Sequence, residues 1–152
     1  MTGKPYANIV VGTDFSPTAW EALRSGLALA RSLGSTLHLV HVDPKLKPTL
    51  PLSPDNRRTV QELQRRQRRE SRERLAGLVP KSATPPVRTR LLVGSDPSAA
   101  LLKYVERSGA DLLVLGRRGR SPLGEMLIGS TADRCLRRAR IAVLLIPALD
   151  RR

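Results

Sequence analysis

Residues 111–131, DLLVLGRRGRSPLGEMLIGST, carry the clearest indication of the fold. They begin with a continuous apolar run, pass through a loop with glycines at 116, 119, 124 and 129, and end on Ser-Thr before a helical pattern. A short continuous apolar run suits a strand that is buried on both faces, as in a parallel sheet. The segment therefore predicts a buried strand, a glycine-rich loop and the start of a helix.

The same alternation extends along the whole chain. Helical patterns separate five short apolar runs, at residues 8–12, 36–42, 87–94, 111–116 and 141–147. The strict order β-α-β-α-β-α-β-α-β predicts a doubly wound α/β fold with a parallel sheet and right-handed crossovers. We expect residues 1–152 to form a single domain, because no second domain or internal repeat is visible.

The predicted helices have recognisable ends and apolar positions. Ser16-Pro17 and Gly34 are a typical start and stop for the first helix, and the third begins near Asp96-Pro97. The positions expected to face the core are Trp20, Leu23, Leu27 and Ala30 in the first helix, Val60, Leu63, Leu75 and Leu78 in a second over residues 56–78, and Ala132, Cys135, Leu136 and Ala139 in a fourth. Residues 43–56 contain four prolines and predict an irregular loop or lid.

Composition narrows the partners and the compartment. Aromatic residues make up only 3%, which argues against a stacking platform for single-stranded nucleic acid. The formal net charge of +14 favours acidic partners, although arginines spread along the chain also account for it. With one cysteine and no apolar run near the roughly 20 residues of a membrane span, we expect a cytoplasmic protein that does not cross a membrane.

The predicted second helix is rich in arginine. Residues 57–75 contain eight arginines and three glutamates, and Glu62–Arg66 and Glu70–Arg74 have favourable i,i+4 spacing. One interpretation is a solvated face with ion pairs. The other is a surface for acidic protein or nucleic acid, but no base-reading motif supports nucleic acid.

Three strand ends carry distinctive residues and should converge on one crevice, at residues 12–17, 41–44 and 116–131. The glycine loop fits neither the dinucleotide pattern nor the P-loop, because Glu125-Met126 stands where Lys-Ser/Thr is required. Glycines nevertheless allow a close approach of backbone to an anion, and a helix that opens at Gly129-Ser130-Thr131 offers free N–H groups. A turn followed by a helix cap would use the same residues equally well.

Several single residues have a structural and a functional interpretation. Asp14 could bind a ribose or a metal, or simply cap the following turn. His38 and His41 point to opposite faces of a strand and are not expected to share a metal. Cys135 is expected to be a core thiol rather than a nucleophile.

Together these residues resemble the universal stress protein family. The family signature, Gly, two residues, Gly, nine residues, Gly, then Ser or Thr, is matched by Gly116, Gly119, Gly129 and Ser130. Residues 9–42 are similar to the first β-α-β unit of the family, and residues 93–147 to its last half. The resemblance covers nearly the whole chain except about residues 45–85.

The resemblance implies a Rossmann-like, five-stranded parallel sheet of order 3-2-1-4-5 and, in the ATP-binding branch, a specific site. Thr13 and Asp14 would lie near the ribose or metal side, Val42 would contact adenine through its backbone, and Gly94 would line the site. Ribose and phosphates would be wrapped by Gly116, Arg117, Arg118, Gly119, Gly129, Ser130 and Thr131. Mg²⁺ is the usual companion of a triphosphate. Family members also pair their last strands in homodimers, which here implies residues 141–146, from Ile141 to Ile146.

The resulting expectation is an ATP-binding stress-response protein that acts on an unidentified signalling partner and is not an enzyme. At most it would show slow hydrolysis or autophosphorylation at Ser130 or Thr131. Gly116→Val and Gly129→Val should abolish ATP binding without unfolding. Arg117 and Arg118 depart from many relatives and could strengthen or occlude triphosphate binding.

Two alternatives belong to other classes. One is a nucleotide-independent interaction module that uses the arginine-rich helix. The other is an adenylyl-transferring enzyme, which should show a catalytic His motif, and His41 is the only candidate near a strand end.

Overall fold

The computed structural model describes residues 3–48, 51–118 and 128–148. Strands and helices alternate along the chain as the sequence predicts. The elements are β1 (Asn8–Gly12), α1 (Pro17–Leu33), β2 (Thr36–Pro44), α2 (Pro54–Leu78), β3 (Val87–Gly94), α3 (Pro97–Ser108), β4 (Leu112–Gly116), α4 (Ser130–Arg138) and β5 (Ala142–Ile146).

All five strands join one parallel sheet in the order β3-β2-β1-β4-β5, which confirms the predicted fold class. The chain leaves β1 toward β2 and β3, and later returns to the other side of β1 to form β4 and β5. The strand order therefore reverses between β1 and β4, and at that point the connections on either side leave a crevice above the strand ends.

Helices cover both faces of the sheet. On one face, α1 and α2 pack over a core that includes Ile9, Val11, Leu23, Leu37 and Leu75. On the other, α3 and α4 pack over a core that includes Val10, Val40, Leu101, Leu113 and Cys135. The strands are continuous apolar runs because both of their faces are buried.

The face that α1 presents to the sheet differs from the prediction. Trp20 is 43% exposed, whereas Ala19, Ala22 and Gly26 are buried beside Leu23. A Cβ at Gly26 would lie 2.5 Å from Val11 Cγ2, so the helix approaches the sheet more closely than a larger residue would allow. Small residues, rather than the bulkiest apolar side chains, set this contact.

The region around α2 also needs correction. The predicted loop over residues 43–56 is shorter in the structure, since β2 continues to Pro44 and α2 begins at Pro54, capped by the Ser53 hydroxyl. Only Ser71 and Leu75 of α2 are buried, and Leu63 is 53% exposed. The first half of this long helix therefore lies on the surface. In α4, Leu136 is likewise exposed.

The two histidines lie on opposite faces, as expected. His38 bonds through Nδ1 to the Tyr104 hydroxyl at 2.7 Å, whereas His41 faces Phe15. Burial, with smaller contributions from Arg88 and Arg90, lowers the pKa of His38. Cys135 is fully buried, and burial raises the pKa of its thiol to about 11, as suits a core residue.

Gly116, at the end of β4, packs against the start of α1. A Cβ at this position would lie 2.9 Å from the Thr18 carbonyl carbon and 3.1 Å from the Ala19 nitrogen, both of which are backbone atoms. The expectation that Gly116→Val would spare the fold is therefore wrong. A side chain here collides with α1, because the glycine allows the helix to approach the strand end.

We predict that Gly116→Ala lowers the free energy of unfolding by about 1–3 kcal/mol through overpacking. Gly77→Ala is the matched control, because nothing lies within 4 Å of a Cβ at that helical position. The control should stabilise the protein by about 0.5–1 kcal/mol. Urea denaturation of both variants checks this, and equal effects of the two would contradict the packing account.

Candidate functional site

A cleft of about 220 Å³ opens above the carboxyl ends of β1 and β4, where the strand order reverses. Its wall is formed by the ends of β1, β2 and β4, with the residues that follow β1 and β4, and by the starts of α1, α3 and α4. The lining residues are Gly12, Thr13, Asp14, Ala19, Val40, His41, Val42, Pro97, Leu101, Leu115, Gly116, Arg118, Gly129, Ser130, Thr131 and Ala132.

The turn after β1 is held by its own polar side chains. The Thr13 hydroxyl accepts a hydrogen bond from the Phe15 N–H at 3.0 Å, and Asp14 Oδ1 accepts one from the Ser16 N–H at 3.0 Å. Ser16, not Asp14, caps α1. Asp14 therefore has the structural role that the sequence left open, and it also lines the cleft.

Phe15 adopts a left-handed backbone conformation, with φ of 64°. This conformation costs a residue with a Cβ about 1–2 kcal/mol. The Phe15 ring contacts two side chains: its centroid lies 4.3 Å from that of His41, and the Arg74 guanidinium carbon lies 4.0 Å from the ring centroid. These contacts oppose the backbone strain and fix the turn that presents Thr13 and Asp14.

His41 is tied to the protein through both ring nitrogens. Its Nδ1 donates to the Thr13 carbonyl at 2.7 Å, so Nε2 faces Asp43 Oδ1 at 3.2 Å. Asp43 is only 2% exposed, accepts a second bond from the Ser71 hydroxyl at 2.7 Å, and has no hydrogen-bond partner for Oδ2 among the described residues. The end of β2 is thus connected to both the β1 turn and α2.

Both described ends of the glycine loop are fastened by main-chain bonds. The Arg117 N–H donates to the Ile146 carbonyl, and the Arg117 carbonyl accepts from the Gly129 N–H, each at 2.7 Å. The Thr18 hydroxyl donates to the Arg118 carbonyl. These bonds bring Gly129 back beside β4 and place the first residues of α4 in the cleft wall.

The start of α4 differs from those of the other three helices. The side chains of Ser16, Ser53 and Asp96 cap α1, α2 and α3, whereas Gly129 precedes α4 with no side-chain cap hydrogen bond. The first N–H groups of a helix have no partner within the helix. Ser130, Thr131 and Ala132 line the cleft, so the positive end of α4 is directed at it. The cap interpretation of Ser130 is therefore wrong, because Gly129 occupies the cap position.

Most of the predicted site residues come together in this cleft. Thr13, Asp14, Val42, Gly116, Arg118, Gly129, Ser130 and Thr131 all line it. Gly119 lies outside the described residues. Gly94 and Arg117 do not belong to the lining. A Cβ at Gly94 would lie 3.2 Å from Ala100 Cβ, so this glycine allows α3 to pack closely. Arg117 contributes through its main-chain hydrogen bonds.

The sequence did not indicate several other residues that line the cleft or hold its wall in place. Thr18, Phe15 and Arg74 support the β1 turn and the loop, while Pro97 and Leu101 add an apolar wall. No local pattern marks Arg74, which is remote in sequence from Phe15. The predicted i,i+4 pair Glu70–Arg74 is replaced by a pair in the opposite direction, Arg66–Glu70 at 2.9 Å.

Two features are absent from the part of the chain that the structure describes. No group of three or more His, Cys, Asp or Glu side chains is placed to hold a metal ion. None of the helices combines the length and apolar character needed to cross a membrane.

Fold and cleft together define a doubly wound α/β protein with a ligand site at the switch point of its sheet. The family model of the universal stress protein family matches residues 5–147. The chain belongs to that family.

Individual relatives agree with this assignment. A universal stress protein of Methanocaldococcus jannaschii is 25% identical over 142 residues, which cover 93% of this chain and 82% of the relative. UspA from Lactobacillus plantarum superposes with a TM-score of 0.74 at 23% identity, covering 95% of this chain and 99% of that one. A universal stress protein solved in complex with cAMP superposes with a TM-score of 0.60 at 26% identity, covering 95% and 98%.

We predict that Arg74→Ala loosens the turn after β1. Loss of an exposed cation–π contact should lower the free energy of unfolding by about 0.5–1 kcal/mol and speed amide exchange at Phe15 and Ser16. Arg69→Ala, on the same helix, is the control, since Arg69 is exposed and forms no ion pair with any described residue. Hydrogen exchange followed by NMR measures the effect. Equal exchange at Phe15 in the two variants would contradict the clamp.

Proposed function

We propose that the protein binds ATP in the cleft and acts in the cytoplasm as a nucleotide-dependent stress-response module. The observation that carries this proposal is the uncapped start of α4 in the cleft wall. Main-chain N–H groups at a helix start are suited to a phosphate, since they donate hydrogen bonds and carry partial positive charge. Ser130 and Thr131 add hydroxyl donors, and exposed Arg118 adds a full charge at the same wall.

The end of β2 supports recognition of the base. Pairing of β1 with β2 ends at Gly12–Val40, and the Val40 carbonyl accepts from the Thr13 N–H at 2.8 Å. In a parallel strand, main-chain groups alternate sides, so those of Val42 point the same way as those of Val40. At Val42, however, β1 has already ended. Its N–H and C=O are therefore directed into the cleft, where adenine offers both an acceptor and a donor.

Asp14 is placed to accept a hydrogen bond from a ribose hydroxyl or to act as one ligand of a metal ion. It is the only carboxylate among the described lining residues, so the protein could supply Mg²⁺ with few ligands beyond Asp14. Mg²⁺ takes octahedral oxygen ligands and is commonly held by one carboxylate together with substrate phosphates. In this proposal the ion arrives with the triphosphate, and it would balance charge on the phosphate oxygens when bound.

We propose binding without fast turnover. In-line attack on a phosphate needs a base that positions the nucleophile. Asp14 already accepts the Ser16 N–H, and both nitrogens of His41 contact protein atoms. Neither adenylyl transfer nor rapid hydrolysis is supported by this arrangement. Slow hydrolysis or autophosphorylation at Ser130 or Thr131 stays within the proposal, because both lie beside the phosphate wall.

The cAMP complex of a relative at 26% identity supports a nucleoside phosphate as the ligand class. The choice of ATP rests on the charge at the α4 wall and on the family signature. We also propose a homodimer through β5, which is an edge strand that pairs only with β4 within the described chain.

Gly129→Asp provides a test in which stability and binding change in opposite directions. Gly129 has φ of −67° and ψ of 153°, which any residue can adopt, so Asp can cap α4 and stabilise the helix. The new carboxylate would occupy the N–H groups meant for phosphate and repel it. We predict a raised melting temperature and at least about tenfold weaker ATP binding, equal to about 1.4 kcal/mol.

Isothermal titration calorimetry measures ATP affinity, with adenosine as the control ligand. Adenosine lacks phosphates, so its affinity should change much less than that of ATP. Gly129→Val should also weaken ATP binding, because its side chain would fill space that the phosphates need. Mass spectrometry of the purified, denatured protein would identify any nucleotide that it carries. An unchanged ATP affinity in Gly129→Asp, together with the raised melting temperature, would refute the phosphate site.

The dimer is tested by the mass of the particle in solution. We predict that light scattering after size exclusion gives twice the mass of one chain, and that Ala142→Lys, at an exposed position of β5, shifts it to one. Lysine on an edge strand disfavours pairing with another edge. Val93→Lys, on the opposite edge strand, is the matched control and should stay dimeric. A monomeric wild-type protein would rule out this interface.

A further inference from the structure

The surface of α2 carries a row of four exposed arginines, Arg58, Arg65, Arg69 and Arg72, which we call the arginine row. At 3.6 residues per turn, these four positions fall within about 60° of one another around the helix. The first and the last lie 14 positions apart in the sequence, or about 21 Å at about 1.5 Å per residue. None of the ion pairs between described residues includes a member of the row. Four guanidinium groups are thus aligned, and no described carboxylate forms an ion pair with any of them.

The row lies on the side of α2 that faces the β3 edge of the sheet. Arg74 is on the opposite flank, over Phe15, whereas Arg68 lines a shallow depression together with Val93 of β3. Arg72 and Arg65 are the members of the row that come next around the helix from Arg68, in the direction away from Arg74. The arginine row and the nucleotide cleft therefore occupy different surfaces. The row does not use the side chain that supports the β1 turn.

Apolar surface accompanies the charge. Val93 and Leu46 are each 40% exposed, and the Gln64 side chain donates to the Leu46 carbonyl at 3.4 Å, which holds the segment after β2 beside α2. Arg88 and Arg90 of β3 lie on the other face of the sheet, near His38, and do not belong to this strip. An edge strand offers unpaired main-chain groups along its length. The strip between α2 and β3 thus combines positive charge, apolar side chains and free backbone.

We propose that this strip is a docking surface for an acidic segment of a partner protein. Carboxylates would pair with the arginine row, which suits bidentate binding. Apolar side chains of the same segment would cover Val93 and Leu46. Charge complementarity selects an acidic partner, and the apolar surface favours a polypeptide over the sugar-phosphate backbone of a nucleic acid.

The distribution of charge around α2 also favours a polypeptide partner. Glu62 and Glu73 follow the row on its outer side, so the positive strip is narrow. A duplex presents phosphates on two strands and would meet these glutamates as well as the arginines. A single polypeptide strand can follow the row alone. The proposed partner contact therefore lies outside the nucleotide site and does not depend on nucleotide binding.

The test uses two triple variants that remove the same number of charges. Arg65→Gln, Arg69→Gln and Arg72→Gln neutralise most of the row, whereas Arg31→Gln, Arg107→Gln and Arg138→Gln neutralise exposed arginines of α1, α3 and α4. Glutamine keeps a helix propensity close to that of arginine. The probe is a fluorescein-labelled peptide in which Glu and Leu alternate, and a labelled DNA duplex is the comparison. Fluorescence anisotropy gives each affinity at ~50 mM and ~200 mM salt.

We expect the row variant to bind the peptide at least about tenfold more weakly, equal to about 1.4 kcal/mol, and the control variant to bind it like the wild type. ATP affinity should be unchanged in the row variant. A failure of the docking proposal can therefore be distinguished from a failure of the nucleotide proposal. Equal losses in the two variants would mean that only net charge matters, and would overturn the proposal. Tighter binding of the duplex, lost in the row variant, would overturn it in favour of a nucleic-acid surface. Circular dichroism confirms folding, and peptide protection of amides in α2 and β3 gives a readout independent of the substitutions.

Discussion

The site depends on one main-chain hydrogen bond, from the Gly129 N–H to the Arg117 carbonyl at 2.7 Å. It returns the chain to the end of β4 after the glycine loop and so sets where α4 begins. Because no side chain caps that helix, its first N–H groups stay directed at the cleft. Thr18 and the tight packing of Gly116 against α1 fix the other end of the same segment. This wall of the cleft, the proposed phosphate site, is thus built by backbone, with side chains adding charge.

The opposite wall depends on unequal strand lengths. β2 runs past the last residue of β1, and this extension exposes the main chain of Val42 and carries His41 and Asp43. His41 connects the extension to the Thr13 carbonyl, and Phe15 connects it to Arg74 of α2. Contacts from several sides hold the strained residue Phe15 in place. The turn with Asp14 is therefore rigid before any ligand arrives.

The sequence predicted what depends on local pattern. Continuous apolar runs and helix signals were enough for the fold class. The spacing of the glycines left an anion site and a helix cap equally open, and only the family resemblance assigned Gly116, Gly129 and Ser130 to a binding site. The sequence could not reveal contacts that follow only from packing: the reason for glycine at Gly94 is a neighbouring side chain of α3, and the role of Arg74 needs a partner 59 positions away. Trp20 was misplaced because its apolar side chain continues the helical spacing of Leu23, Leu27 and Ala30, whereas the close approach of helix and sheet selected alanine and glycine.

The most direct test of the account is an NMR titration of the amide signals of Ser130, Thr131 and Ala132 with ATP and, separately, with adenosine. If these N–H groups bind phosphate, ATP should shift all three strongly, and adenosine should shift the Val42 amide while leaving them nearly unchanged. Shifts of the α4 amides that are the same for both ligands, or absent with saturating ATP, would contradict the claim that the uncapped helix start is the phosphate site.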